Sequence, residues 1–275
     1  MKIIRDIKEI DIEQSKKLYD EAFNDPIEFR ENLFNGYLNK ARYFGVVDEN
    51  NNLIMQTFFV PKRIAYNGYK TTGYLIFAVA VKKEFQGKGI MKQYLGKFIH
   101  EMKLYTNFIF IQAYNYQIYK SFDFLEVTTK KDWFLRKDQF LKVDNIKQKI
   151  DFDLINKINN LYLEQNDIAN FAYKTEKENK KYLKLYYDCG AKIIMSNKSY
   201  VVYDETENKV LEYAYLDLRD FIKLMSSLPF DTTITSILDL DKRFFTQKKD
   251  EYTFTKLLRN DDFDGTQNIY FMDNW

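Results

Sequence analysis

The chain has 275 residues, 45% of them hydrophobic and 30% charged, a balance that supports a buried core and excludes a disordered polymer. With 42 Lys and Arg against 40 Asp and Glu the formal net charge is +2, which argues against a dedicated nucleic-acid binder. One Cys, Cys189, excludes an internal disulfide and a cysteine-based metal cluster, and one His, His100, excludes a zinc site with two histidine ligands.

In chain order, residues 2–5 predict a short strand, and residues 11–23 an amphipathic helix with Ile12, Leu18, Tyr19 and Phe23 on its buried side. The start, MKIIRDIKEIDIEQ, holds an apolar run too short for a signal segment. A short helix follows Pro26, a residue suited to a first turn. Residues 43–47, 53–60 and 63–66 have strand character, and Asn67-Gly68 signals a hairpin because both residues tolerate positive φ. The run YLIFAVAV, residues 74–81, suits a strand covered on both faces. After the glycine pair Gly87 and Gly89, the residues Ile90, Met91, Tyr94, Leu95, Phe98, Ile99 and Met102 recur at spacings of three and four, which predicts a helix. Residues 108–113 read as strand, 115–122 as a short helix and 124–134 as further strand.

The charged stretch 136–152 predicts a connection between a first domain at 1–140 and a second at 150–275. The second opens with a helix through Ile155, Ile158 and Leu161. Another helix starts at the capping box Thr175-x-x-Glu178. Strands are expected at 192–195, 200–203 and 210–215, a helix at 218–227 that stops near Pro229, and strand-like pieces at 232–237 and 252–258. The tail IYFMDNW is apolar enough to dock. This is a mixed α/β (α+β) layer pattern, and the halves share a coarse helix–strands–helix–strand order, as a duplicated fold would. No stretch approaches the ~18 apolar residues of a membrane span. A cytoplasmic protein is expected.

The chemistry concentrates in residues 74–99. A strand, a glycine-containing loop and a helix leave unpaired N–H groups and the positive end of a helix dipole at one point, where an anion is favoured. The loop is neither a Walker A sequence nor a dinucleotide G-x-G-x-x-G. Gln86, Gly87, Lys88, Gly89, Ile90 and Met91, after an apolar strand, resemble the pyrophosphate-binding motif of the GNAT superfamily of N-acetyltransferases, Q/R-x-x-G-x-G/A. Gln86 stands first and Gly89 at the required glycine, while Met91 departs where that family prefers a small residue. The resemblance implies that main-chain amides of these six residues hold the coenzyme A pyrophosphate. It also implies that Val79 and Val81 offer main-chain groups to the pantetheine arm.

A second match lies in QAYNYQIYKSFDF, residues 112–124. Ile118-Tyr119 is followed by Phe122-Asp123-Phe124, where the superfamily often has Phe-Gly-Phe, and Asp123 can take the left-handed conformation that the glycine would. By this resemblance Tyr119 gives a proton to the departing thiolate and Asn115 contacts the coenzyme. Read without it, Tyr119 is a core tyrosine and Asn115 a helix cap. The layout of a GNAT lobe followed by a degenerate GNAT-like lobe is similar to the enhanced-intracellular-survival branch, here without the sterol-carrier-like domain of longer members. That branch implies a C-terminal carboxylate, here that of Trp275, as an active-site base.

The expectation is therefore a GNAT fold, with a mixed sheet flanked by helices. The expected activity is an acetyl-CoA-dependent N-acetyltransferase that acts by direct attack in a ternary complex. The acceptor is a primary amine on a small molecule or peptide, and no metal, nucleic acid or membrane partner is expected. The alternatives are a non-catalytic acyl-CoA-binding or regulatory protein on the same fold, and a two-lobe interaction protein without ligand. No obvious Glu on a buried strand serves as general base. His100, at the edge of an apolar helical stripe, and Cys189, before Gly190, read as structural.

Overall fold

The computed structural model describes residues 1–113, 115–129, 131–136, 149–166, 168, 170–229, 231–236, 238–248, 255–259 and 269. The stretch expected to connect two domains falls largely outside these residues.

Strand β1 (Lys2–Ile4) leads to helix α1 (Ile12–Ala22), whose first turn is capped by the Asp11 carboxylate accepting from the Glu13 N–H at 3.1 Å. The helix buries Leu18 and Tyr19, whereas Ile12, expected inside, is 41% exposed at the first helical position. Helix α2 (Ile27–Asn32) follows Pro26. Strands β2 (Arg42–Val47), β3 (Leu53–Tyr66) and β4 (Tyr69–Val81) come next. β3 runs unbroken through Pro61 where the sequence suggested two strands. Asn67 and Gly68 have φ of 48° and 80°, as a two-residue hairpin between β3 and β4 requires. Helix α3 (Ile90–Met102), strand β5 (Ile109–Ala113), a 3-10 turn over Tyr116–Phe122 and strand β6 (Leu125–Thr129) follow.

Residues 124–134 hold two strands rather than one, because β7 (Lys131–Leu135) is separate from β6. Helix α4 (Phe152–Gln165), a short strand β8 (Phe171–Tyr173) and helix α5 (Glu176–Asp188) come next. The capping box at α5 is formed as read, and Cys189 and Gly190 end the helix, the glycine at φ 93°. Strands β9 (Lys192–Met195), β10 (Ser199–Asp204) and β11 (Lys209–Tyr215), helix α6 (Leu218–Ser226), and strands β12 (Thr233–Ser236), β13 (Phe245–Gln247) and β14 (Thr255–Arg259) complete the described elements.

These elements form two compact units. The first comprises Met1–Arg63, Thr71–Val127 and strand residues 256–259. The second comprises Ile64–Lys70, the described residues of Thr128–Thr255, and Ile269. The first sheet has the order β1-β2-β3-β4-β5-β14-β6, and β8 pairs with β3 at its end. One face of this sheet is covered by α3, whose Tyr94, Leu95, Phe98 and Ile99 pack on Phe44, Ile54, Phe59, Ile76 and Ile109. The other face holds Leu18, Tyr19, Phe34 and Phe58. With both faces covered, residues 53–60 are buried without alternation.

The second sheet has the order β13-β7-β12-β11-β10-β9. Its core includes Trp133, Tyr162, Tyr200, Phe221 and Phe245, with the Tyr215 and Phe221 rings stacked 4.6 Å apart. The strand at β11 carries a buried carboxylate, Glu212, contrary to the expectation that buried strands lack one. It is held by Lys174 at 3.0 Å and by the Tyr200 hydroxyl, which donates at 2.8 Å. A carboxylate so placed tolerates burial only while its partners remain. Lys174→Ala is therefore expected to lower the unfolding free energy by about 3 kcal/mol. Lys184→Ala, which removes the exposed partner of Asp188, should cost less than about 0.5 kcal/mol. Urea denaturation of both variants checks the contrast.

Candidate active site in the first unit

Side-chain parity along β4 locates the site. Tyr74 and Ile76 face the α3 side of the sheet, and regular alternation would send Ala78 and Ala80 there too. Instead Phe77, Ala78 and Ala80 face the opposite core, and Val79 and Val81 face α3. The parity changes at Ala78, which has φ of 51°, a left-handed conformation costly for a residue with a Cβ. This is a bulge in the middle of a buried strand. The buried Thr57 hydroxyl on β3 donates to the Phe77 carbonyl at 3.2 Å, tying the bulge to its neighbour strand.

The bulge lies just past the point where β4 and β5 part. Their parallel register runs Tyr74↔Ile109, Leu75↔Phe110 and Ile76↔Ile111, and among the described residues β4 then continues to Val81 without further pairing to β5. Two diverging parallel strands leave main-chain groups facing the gap between them. Val79 and Val81 lie on this stretch, half-buried on the core beneath α3.

The loop after β4 is pinned at both ends. The Lys82 N–H donates to the Ile54 carbonyl at 2.8 Å, and the Gln86 side-chain amide donates to the Val81 carbonyl at 2.9 Å. Gly87 and Gly89 have φ of 72° and 75°, and a Cβ on either would meet nothing within 4 Å. The glycines are thus required by backbone conformation, and the space above them is open. Gly89 caps α3 without a side-chain hydrogen bond, and the first i→i−4 bond is from the Gln93 N–H to the Gly89 carbonyl. The N–H groups of the first turn therefore lack intrahelical partners and point with the helix dipole towards that open space. Lys88 adds a positive charge beside the loop, its ammonium 5.4 Å from the Phe85 ring centre. Ile90 is buried and Met91 half-buried on the core, so at these two positions only the main chain is available to a ligand. An open cradle of unpaired amides with a lysine beside it fits a pyrophosphate.

Tyr119 sits in the turn Tyr116–Phe122, half-buried on the same core cluster that carries Val79, Val81 and Met91. Burial pushes its phenol above the ordinary tyrosine value. Asn115 caps this turn, its Oδ1 accepting from the Gln117 N–H at 3.1 Å. Asp123 ends the turn with φ of 56°, the left-handed conformation read from the sequence. His100 is exposed in the last turn of α3, and Cys189 lies at a helix end in the second unit. Ile269 of the apolar tail is fully buried, while Trp275 lies outside the described residues. Among the described residues the buried carboxylates are Asp132 and Glu212, both in the second unit. No trio of His, Cys, Asp or Glu side chains there could hold a metal ion, and no helix is long and apolar enough to cross a membrane. Sequence reasoning missed Thr57 and the bulge, since a positive φ at an alanine leaves no compositional mark.

Residues 3–127 match the family model described as an acetyltransferase (GNAT) domain. Over this stretch the chain is similar to GNAT acetyltransferase domains. Comparison with curated protein sequences gives no match. The fold is shared with solved GNAT structures across both units. A GCN5-related N-acetyltransferase of Kribbella flavida superposes with a TM-score of 0.72 at 12% identity, over 94% of this chain and 70% of that one. A protein of Enterococcus faecalis described as a probable N-acyltransferase gives 0.71 at 16% identity, over 94% and 72%. Eis1 of Mycobacterium abscessus gives 0.66 at 12% identity, over 95% and 74%.

The bulge gives a direct test of the candidate site's support. Thr57→Val keeps the shape of the side chain and removes its hydroxyl donor, so a stability loss of about 1 kcal/mol is expected. Thermal denaturation of the variant beside Thr57→Ser, which keeps the donor, checks it.

Proposed function

We propose that the chain transfers an acetyl group from acetyl-CoA to a primary amine by direct attack in a ternary complex, the acceptor being a small molecule or a peptide. The observation that carries this reading is the convergence of three features on one core cluster: the open glycine loop, the bulged strand and the half-buried Tyr119. Acetyl-CoA supplies an acetyl group activated as a thioester.

The chain's residues divide the work. Main-chain amides of Gly87, Lys88, Gly89, Ile90 and Met91 bind the pyrophosphate, with the α3 dipole and the Lys88 charge favouring the anion, while Gln86, its N–H donating to the Lys83 carbonyl at 3.2 Å, holds the start of the loop. The main chain at Val79 and Val81 aligns the pantetheine arm along the unpaired edge of β4. The Val79 N–H polarises the thioester carbonyl, a preorganised dipole at the position where negative charge develops. The Tyr119 hydroxyl donates its proton to the departing sulfur. Because burial raises its pKa, the phenol stays protonated through neutral and mildly alkaline pH, and is available as an acid there. Asn115 contributes through its cap, which fixes the start of the turn carrying Tyr119. The amine attacks in its neutral form.

Gly89→Glu places a bulky anion in the cradle. A folded variant should lose most of its affinity for acetyl-CoA, measured by calorimetry, and unchanged binding would remove the loop from the site.

Tyr119→Phe deletes only the hydroxyl. Turnover is expected to fall roughly 10²–10⁴-fold with little change in acetyl-CoA binding. The raised pKa fixes the sign of the pH effect: deprotonation of Tyr119 removes the acid, so its contribution persists to above about pH 10 and is lost beyond it. Equal turnover of the two proteins at pH 8 would assign the proton to another donor.

A further inference from the structure

The second unit holds an open cleft of about 630 Å³, inside the ~300–1,000 Å³ range of small-molecule sites. Helix α4 lines it with Asn160, Leu163 and Glu164, which the helical period puts on one face. Strand β8 lines it with Phe171 and Tyr173, two residues apart and so on one face of the strand, their ring centres 6.1 Å apart. Ile168 comes from the link between these elements. Lys70, from the start of β4, reaches over the Tyr173 ring with its ammonium 5.5 Å from the ring centre.

The lining is fixed by bonds of the chain itself. The Asn67 N–H, in the hairpin before Lys70, donates to the Oδ1 of buried Asn170 at 2.8 Å, which ties that turn to the residue preceding β8. The residue after β8, Lys174, is held by buried Glu212. At the end of α4 the Ile168 N–H donates to the Leu163 carbonyl at 3.2 Å, and the Asn166 side-chain amide donates to the Tyr162 carbonyl at 2.8 Å. A cleft ordered in this way loses little further freedom when it is filled.

Its chemistry is mixed. Leu163, Ile168, Phe171 and Tyr173 offer apolar surface, while a cation and an anion stand on different elements at the rim. Among the described residues neither the Lys70 ammonium nor the Glu164 carboxylate forms an ion pair. A ligand that is only an anion would meet Glu164, and one that is only a cation would meet Lys70. A ligand carrying both charges meets a partner for each. We propose that this cleft binds a small zwitterion with an apolar body, either an amino acid with a large apolar side chain or a dipeptide of such residues. Lys70 takes its carboxylate, Glu164 its ammonium group, and the apolar body lies on Phe171 and Tyr173. The Asn160 amide supplies a further hydrogen bond. The glycine loop belongs to the first unit, and this site does not rest on the function proposed above.

The test is calorimetry on the full chain without coenzyme, using L-phenylalanine and L-leucyl-L-phenylalanine as probes. At least one is expected to bind with a Kd below about 1 mM, and the tighter of the two identifies the source, free amino acid or peptide. The N-acetyl form of that probe lacks the ammonium group and its methyl ester lacks the carboxylate, so each should bind about fivefold more weakly. Lys70→Met and Glu164→Gln each remove one charge at an exposed position. Each should weaken the zwitterion by a similar factor and leave the melting temperature unchanged. The pairing is read by a cycle: Glu164→Gln should not weaken the N-acetyl probe further, nor Lys70→Met the methyl ester. Failure of both zwitterions to bind overturns the proposal, as does equal binding of the forms that lack a charge. Variants that bind as the parent does would place the zwitterion elsewhere, such as at an acceptor site, and overturn it too. A chain that turns over no amine would sink the proposed acetyl transfer while leaving these affinities readable.

Discussion

The burial of one stripe of α3 governs the rest of the first unit. Tyr94, Leu95, Phe98, Ile99 and Met102 leave water together against the sheet, and each large side chain so buried contributes ~1.5–3 kcal/mol. With the helix axis fixed in this way, the position of its first turn is no longer free. The unpaired N–H groups of that turn must emerge where β4 ends, and the chain must cover the distance from Val81 to Ile90 in a short loop. Two left-handed glycines make that path possible without strain. An anion-binding cradle is thus a by-product of core packing, held by apolar contacts some distance from any ligand.

The bulge at Ala78 shows the opposite economy. A non-glycine residue at positive φ is unfavourable by roughly 1–2 kcal/mol and survives only where its surroundings enforce it. Here the enforcement comes from two sides. The opposed cores accept Phe77 and Ala78 on one face and Val79 on the other, and Thr57 takes up the Phe77 carbonyl. The result is that β4 presents a different set of main-chain groups to the gap beside β5 than a regular strand would.

What could be read in the sequence follows from the range of the interactions involved. The run at residues 74–81, the periodicity of α3, the hairpin at Asn67-Gly68 and the capping box at Thr175 are local, and each appears in the structure where it was read. The glycine loop was legible because its two positive-φ positions select for glycine. The continuation of β3 through Pro61 was hidden by a residue that normally interrupts strands. β8 and β13, at three residues each, are too short to show any period. Ile12, at the first position of its helix, is exposed because periodicity marks a face and does not say how far along the helix that face is covered. Glu212 was overlooked since its burial depends on Lys174 and Tyr200, distant in sequence. Strand partners of β7 and β14 are likewise set by tertiary pairing, for which a single sequence holds no signal.

The place of β14 has a consequence for how the protein is made. β6 ends at Thr129 and β14 begins at Thr255, so on a ribosome the first sheet must wait for its missing strand. At roughly 5–20 residues per second the wait lasts on the order of 10 s. Throughout that interval β5 and β6 have backbone donors and acceptors with no strand between them, a template for any extended chain nearby. Nascent chains on one message lie close together and offer the same β14 to each other. The architecture thus makes the emerging polypeptide, more than the finished one, the species that needs protection from its own copies.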